Sequence, residues 1–393
     1  MANPHIYIVA AEKSGDELGA KLIHELRNRT QGDVTISGIG GRAMQKHGII
    51  SPIDITPLSI MGFVEGLKIY PLIMQLVSET TDHIIESGAD ACVLIDSWGF
   101  MMRVATRLRK KGYNGKIIKY VAPQVWAMRE GRAKVLAEGV DHLLTIHSFD
   151  APYYTRHGLE VTYIGNPVFD ENYSDGDAQS LRDEYNLSKN APVLIVLFGS
   201  RLSEIQSLAK PFADAVGILK KQIPNLVILS PVSDTIATDV LSAASEYPDL
   251  QDVILLNEKR KLDCFALADA SLSCSGTVTT QLACAGVPSV VAYRLNWLTY
   301  EIAKRLYKPD YVSIVNIAAK QELMPEFIQG ECIGENLAKA VNPYLLDKKI
   351  RNKSHKALLQ ATSKMRLGNV GADIKMATHS SERAAIAILK LVQ

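Results

Sequence analysis

Short runs of β-branched and aliphatic residues recur along the 393-residue chain. Most are closed by a turn of small or polar residues and followed by apolar positions at helical spacing, a pattern that constrains the fold more than any single residue. The first run, His5-Ile6-Tyr7-Ile8-Val9-Ala10, reads as a buried strand. Behind its Gly/Ser turn, Leu18, Leu22, Ile23 and Leu26 share one helical face. Asp16 is placed to cap that helix, with Glu17 in its first turn. Val34-Thr35-Ile36, Cys92-Val93-Leu94-Ile95, Ile117 to Val121 and His142 to Ile146 continue the series, with a helix expected around Met102 to Lys110. Strand, turn, helix, strand predicts a doubly wound α/β unit with a mainly parallel sheet.

The alternation pauses at the polar segment Asn172 to Asn190 and then restarts. Val193 to Leu197 is the most apolar strand, followed by Leu226 to Leu229, Val253 to Leu256, Ala270 to Ser273 and Ser289 to Tyr293. The reading is therefore two α/β domains, residues 1–171 and 172–365, with ligands expected in the cleft between them. At 47% hydrophobic and 22% charged, the chain is neither disordered nor a polytopic membrane protein. A net charge of +1 gives no basic excess that would point to nucleic acid. Five cysteines, none in a C-x-x-C pair, argue against a disulfide framework or structural zinc and fit a reducing cytosol. Met1 to Pro4 lacks the basic start of a signal peptide, and no run of 18 apolar residues spans a bilayer.

Chemistry is expected in loops at the carboxyl ends of strands. Ala11-Glu12-Lys13-Ser14-Gly15-Asp16 is not a dinucleotide fingerprint; Glu12 and Ser14 could bind a polar acceptor or could be ordinary turn and cap residues. Asp96 follows the Cys92 strand, beside Trp98 and Phe100, as either a general base or a helix cap. In the second domain Gly199-Ser200-Arg201 combines a close-approach glycine, helix-start amides and a guanidinium suited to phosphate oxygens. Ser275-Gly276-Thr277, entering a helix expected from Gln281, has the same logic. Two such loops favour a nucleotide diphosphate. Asn316 and Glu326 could add contacts to base or ribose. The histidines are scattered and form no metal pattern, and G-x-S-x-G is absent. Between Ile55 and Val77 only Glu65 and Lys68 are charged, and Ile60, Phe63, Val64 and Leu67 share a helical face: core packing or a lipid-facing patch.

In collinear order, Ala11 to Asp16 with Leu18-Gly19-Ala20, Ser59 to Glu65, Tyr120 to Ala127, Gly199-Ser200-Arg201, Ser275-Gly276-Thr277, Val291 to Arg294, Leu298-Thr299-Tyr300, Tyr311-Val312-Ser313 and Pro325-Glu326 resemble the lipid-A-disaccharide synthase family. The resemblance implies a GT-B fold of two Rossmann-like domains, with a C-terminal helix from about residue 366 to 393 returning to the first. It implies an inverting glycosyltransferase using UDP-2,3-diacylglucosamine as donor and 2,3-diacylglucosamine 1-phosphate as acceptor, with no cofactor or metal. The implied location is peripheral on the cytoplasmic face of the inner membrane, with Ile60, Phe63, Val64, Leu67, Leu72 and Ile73 touching lipid. A homodimer through a swapped C-terminal segment also belongs to what the resemblance implies.

By position, Asp96 would activate or orient the acceptor 6-hydroxyl, with Glu12 and Ser14 on the acceptor side. Gly199, Ser200, Arg201, Ser275, Gly276, Thr277, Gln281, Asn316 and Glu326 would hold UDP. The chain departs from the family pattern at Gly99 and Met101, where the family reads I-D-x-P-D-F-N, and at Gln281, where the family's S-G-T-A-x-L-E ends in glutamate. Phe198 and Asn166 also replace the family's proline and histidine. The alternative is a divergent GT-B paralogue that acts on another UDP-sugar or binds one without turnover.

Overall fold

A computed structural model describes residues 3–54, 70–367 and 377–392. Ser59 to Glu65, with Ile60, Phe63, Val64 and Leu67, lies outside the described residues. The chain forms two compact units, Met1–Asp170 with Leu367–Gln393, and Glu171–Arg366.

The first unit runs β1 (His5–Ala10), α1 (Lys13–Arg29), β2 (Thr35–Ile39), α2 (Arg42–Lys46), α3 (Tyr70–Ser87), β3 (Ala91–Ile95), α4 (Trp98–Lys110), β4 (Lys116–Tyr120), α5 (Arg132–Gly139), β5 (His142–Thr145), α6 (Ala151–Thr155) and β6 (Glu160–Tyr163). All its strands are parallel, in the order β2-β1-β3-β4-β5-β6. Because neighbouring side chains on a strand alternate in direction, β1 feeds two cores. Tyr7 and Val9 join Cys92, Leu94 and α4 on one side; Ile6, Ile8 and Ala10 join Val93, Ile95 and α1 on the other. Each fully buried aliphatic side chain there contributes roughly 1.5–3 kcal/mol of transfer free energy. Cys92 is one of these buried residues, and burial pushes its thiol far up.

The second unit runs α7 (Ala178–Glu184), β7 (Val193–Leu197), α8 (Leu202–Gln222), β8 (Val227–Val232), α9 (Ala237–Ser245), β9 (Ile254–Asn257), α10 (Lys261–Leu267), β10 (Ala270–Cys274), α11 (Thr277–Cys284), β11 (Ser289–Tyr293), α12 (Trp297–Leu306), α13 (Ile314–Ala319), β12 (Glu326–Ile328), α14 (Gly334–Leu346) and α15 (Lys348–Leu367). Its parallel sheet has the order β12-β11-β10-β7-β8-β9. Leu194, Val196 and Phe198 pack with Ile205, Phe212 and Leu219 of α8 and with Leu337 and Val341 of α14. The basic run at Lys348 opens α15 as a mainly exposed helix start.

The chain then returns to the first unit. α16 (Ser380–Val392) lays Ala384, Ala385 and Ile388 into the core that α1 lines. Ser380 caps onto Asp170, its N–H donating at 3.0 Å and its hydroxyl at 2.5 Å, and Arg29 pairs with Glu382 at 2.5 Å.

Several local expectations change. α1 starts at Lys13, so Asp16 lies inside its first turn; its buried carboxylate instead accepts N–H groups of Gly41 (2.8 Å), Ala43 (2.7 Å) and Met44 (3.1 Å) at the start of α2. α11 starts at Thr277 rather than Gln281, and α4 at Trp98 rather than Met102. β6 and β12 carry too short and too polar a pattern to have been read as strands. Among the described residues no helix is long and apolar enough to cross a membrane.

Candidate active site

In a doubly wound sheet the ligand crevice opens where the strand order reverses, at the carboxyl ends of the two central strands. In the first unit that point lies between β1 and β3. Register sets Ala10 beside Ile95 and Ile95 beside Tyr120, so the residues that follow, Ala11, Asp96 and Val121, leave the sheet at one level. The Glu12 loop and Asp96 thus meet: Ser14 Oγ donates to Asp96 Oδ2 at 3.5 Å, and Ser97 Oγ donates to Glu12 Oε1. Asp96 is half-buried; Glu12 and Ser14 are exposed.

The backbone at this corner is strained. Asp96 (φ 52°), Ser97 (φ 36°) and Val121 (φ 72°) are all left-handed, and for a β-branched valine that conformation is costly. Beneath them sits Lys119, 1% exposed, its Nζ donating to the carbonyls of Asp96 (2.6 Å), Tyr120 (3.1 Å) and Leu94 (3.3 Å). Burial pushes its amine down to about 7, against the upward pull of the Asp96 and Glu12 carboxylates. Reading the sequence for loops missed this residue; the signal was a lone cation inside the apolar run Ile117 to Val121.

The reversal in the second unit lies between β7 and β10. Ser273 pairs with Leu197, which sets the Gly199 and Ser275 loops side by side. Gly199 has φ 114°, and a Cβ there would fall 2.5 Å from Glu204 Oε2, so glycine is required. The helix-start amides are not free, as the sequence suggested. Glu204, buried in α8, accepts the N–H of Ser200 (2.9 Å) and Arg201 (3.3 Å), and its other oxygen takes Arg201 Nη1 at 3.0 Å. The Arg201 side chain stays 74% exposed. Across from it, Gly276 faces open space where a Cβ would stand, Ser275 and Gln281 are half-buried, and Thr277 is exposed at the start of α11.

Asn316 and Glu326 serve an inner role. Asn316 is 0% exposed; its amide donates to Met324 O (2.7 Å) and Glu326 Oε1 (2.8 Å), and its oxygen accepts Leu323 N (2.8 Å) and Met324 N (3.0 Å). That fills its hydrogen-bonding capacity. Glu326 also accepts the N–H of Val312 (2.6 Å) and Ser313 (2.8 Å), so the pair braces the start of α13 on β12.

Beside the first site a groove of about 350 Å³ runs between α3, α4 and α5. Met74, Val77, Trp98 and Met102 give it an apolar floor, and Arg103, Arg107 and Lys110 a cationic rim. Met101, at the family's asparagine position, is fully buried and cannot face a ligand, whereas Gly99 is exposed. Leu72 is exposed on α3, but Ile73 belongs to the core, so lipid contact through Ile73 is corrected.

The family model for lipid-A-disaccharide synthetase matches residues 6–378. The lipid-A-disaccharide synthase of Rhodospirillum centenum is 35% identical over 387 residues, 98% of this chain and 94% of that protein. That of Ruegeria pomeroyi is 38% identical over 343 residues, covering 85% and 84%. Among solved structures, UDP-GlcNAc 2-epimerase from Neisseria meningitidis bound to UDP-GlcNAc aligns with a TM-score of 0.62 at 11% identity, over 98% of this chain and 100% of that one. MurG of Acinetobacter baumannii aligns at 0.56 and 13%, over 98% and 99%. Those two likenesses show the fold, GT-B with two doubly wound units. With the strand-end loops and the match along nearly the whole chain, the conclusion is that this chain belongs to the lipid-A-disaccharide synthase family and is a glycosyltransferase.

Proposed function

We propose that the chain transfers 2,3-diacylglucosamine from UDP-2,3-diacylglucosamine to the 6-hydroxyl of 2,3-diacylglucosamine 1-phosphate, with inversion, giving the β-1,6-linked disaccharide 1-phosphate and UDP. The observation that carries it is the corner at the β1/β3 reversal, where Glu12, Ser14, Asp96 and Ser97 converge on a strained backbone. In this reading the Asp96 carboxylate takes the proton of the acceptor hydroxyl as its oxygen attacks the anomeric carbon. The bond from that carbon to the β-phosphate oxygen breaks, and its electron pair leaves with UDP. Charge developing on the diphosphate is met by Arg201 and by the Ser275-Gly276-Thr277 turn, donors fixed before the reaction starts. Gln281 accepts from ribose without the charge a glutamate would bring, while Asn316 and Glu326 act by holding the loop. The groove along α4 joins apolar surface to cations, the chemistry of an acylated sugar phosphate. The same substrates place the protein peripherally at the cytoplasmic face of the inner membrane, where exposed Leu72 would meet lipid.

The test is turnover of purified protein with both acylated substrates. UDP release and disaccharide formation are expected, and Asp96→Asn should lower kcat by roughly 100-fold or more. The departures at Gly99, Met101 and Gln281 leave a second reading, a paralogue using another UDP-sugar or binding one without turnover. Protein that binds UDP yet releases none from the acylated pair would support that reading. Full activity in Asp96→Asn would remove the base.

A further inference from the structure

A lysine near the end of a central strand, with Ile118 and Tyr120 beside it in the chain and Leu94 and Leu143 on the adjoining strands, is costly, because desolvation works against its charge. Lys119 sits on β4, flanked by β3 and β5, and is almost completely removed from solvent. Its three acceptors share one property: Leu94 O and Asp96 O lie at the end of β3 and just beyond it, and Tyr120 O at the end of β4. Tyr120 O also accepts the N–H of Asp96 at 2.9 Å, so the same carbonyls close the link between the strand ends. An ammonium has three N–H donors, matched here by three carbonyls, whereas a neutral amine would leave one carbonyl short. Above this cage stand the left-handed residues Asp96, Ser97 and Val121, a conformation the local sequence does not favour.

We infer that Lys119 is a positioning residue: its carbonyl cage holds the left-handed Asp96-Ser97 corner and so aims the Asp96 carboxylate and Ser97 hydroxyl at the substrate. It touches no substrate itself. The strongest contact, 2.6 Å to Asp96 O, fixes the peptide that joins the two left-handed residues, and with it the direction in which both side chains leave the chain. A lysine that only filled core space would not need its head group under that peptide.

The kinetic arm of the test rests on the function proposed above; a structural arm does not. Lys119→Met removes all donors at similar length, and Lys119→Gln keeps two. With UDP release as the assay, kcat should fall roughly 10- to 100-fold in Lys119→Met and less in Lys119→Gln, while KM for either sugar moves less than about threefold. Adding Lys119→Met to Asp96→Asn should cost little further rate, because the lysine acts through the aspartate. Losses that multiply in the double variant, or wild-type kcat in folded Lys119→Gln, would overturn the inference. Should Lys119→Met fail to fold, Lys119→Gln carries the kinetic test. A crystal structure of Lys119→Met, or of Lys119→Gln should the methionine variant not fold, is the structural arm: the Asp96-Ser97 backbone is expected to shift out of its left-handed conformation, fully in Lys119→Met and in part in Lys119→Gln, and an unchanged backbone would refute the inference. If wild-type protein released no UDP from the acylated pair, the function reading would fail and this crystal structure would still decide the role of Lys119.

Discussion

Replacing Asp150 with asparagine should change how stability depends on pH in a way that can be worked out beforehand. Asp150 is 1% exposed behind β5, where its Oδ2 accepts from the Thr145 hydroxyl. Burial raises its carboxyl from 3.8 to about 7, the Thr145 hydrogen bond opposing that rise. The unfolded chain therefore gives up this proton near pH 4 and the folded chain only near pH 7. Between those values the native state binds more protons, so stability falls as pH rises through the window. The full interval is about three pH units, on the order of 4 kcal/mol at 1.36 kcal/mol per unit. By pH 5 roughly 1.6 kcal/mol of that is lost, and by pH 8 all of it. His147, which burial lowers to about 4, works in the opposite sense below pH 6.5, so wild-type stability alone does not isolate Asp150. The difference between Asp150→Asn and wild type does isolate it. Urea melts at pH 5 and pH 8, followed by the fluorescence of Trp126, whose ring lies 5.3 Å from Phe149, measure that difference. Asp150→Asn should gain roughly 2–3 kcal/mol on wild type between the two pH values. An equal difference at both would mean that Asp150 titrates like an exposed carboxylate, and the reasoning would be wrong.

Two further substitutions test the loops around the strand ends. Asp16→Ala leaves three N–H groups at the start of α2 without their carboxylate and should cost about 3 kcal/mol in urea melts, at roughly 1 kcal/mol per lost bond; Asp16→Asn, which keeps one acceptor oxygen, should cost less. Arg201→Ala removes the solvent-facing partner of an ion pair whose other member, Glu204, is buried but keeps the N–H groups of residues 200 and 201, so the melting temperature should fall by only a few degrees. KM for the UDP-sugar should nevertheless rise roughly tenfold or more, as loss of one charge-assisted phosphate contact requires. Unchanged KM would detach Arg201 from the diphosphate.

Which residues formed strands was legible because a parallel strand is buried on both faces and is written as an unbroken apolar run; Val193 to Leu197 and Cys92 to Ile95 leave little room for another reading. Position at a strand end was equally legible, and it brought out Asp96, Glu12, Arg201 and Gly276. Strand order was not, since nothing local in β7 or β10 says that they are neighbours; that follows from packing of the whole unit. Polar residues that bond across distance were misread for the same reason. Asp16 looked like the cap of its own helix but reaches residues 25 to 28 positions on. Asn316 looked like a ligand contact but closes on residues seven to ten positions on. Lys119 went unmarked because its partners are backbone carbonyls, and Glu204 because two of its three donors are backbone N–H groups, which leave no trace in residue type.

The return of α16 to the first unit has a consequence for how the molecule is made on the ribosome. Residues 171–366 are contiguous, so that unit has all its parts as soon as its last helix emerges. The unit begun first must wait, with the surface of α1 bare, until Ala384, Ala385 and Ile388 are translated to cover it. Synthesis order and completion order are therefore reversed, and a chain cut short before Ala384 carries all of its second unit beside a first one left unsealed.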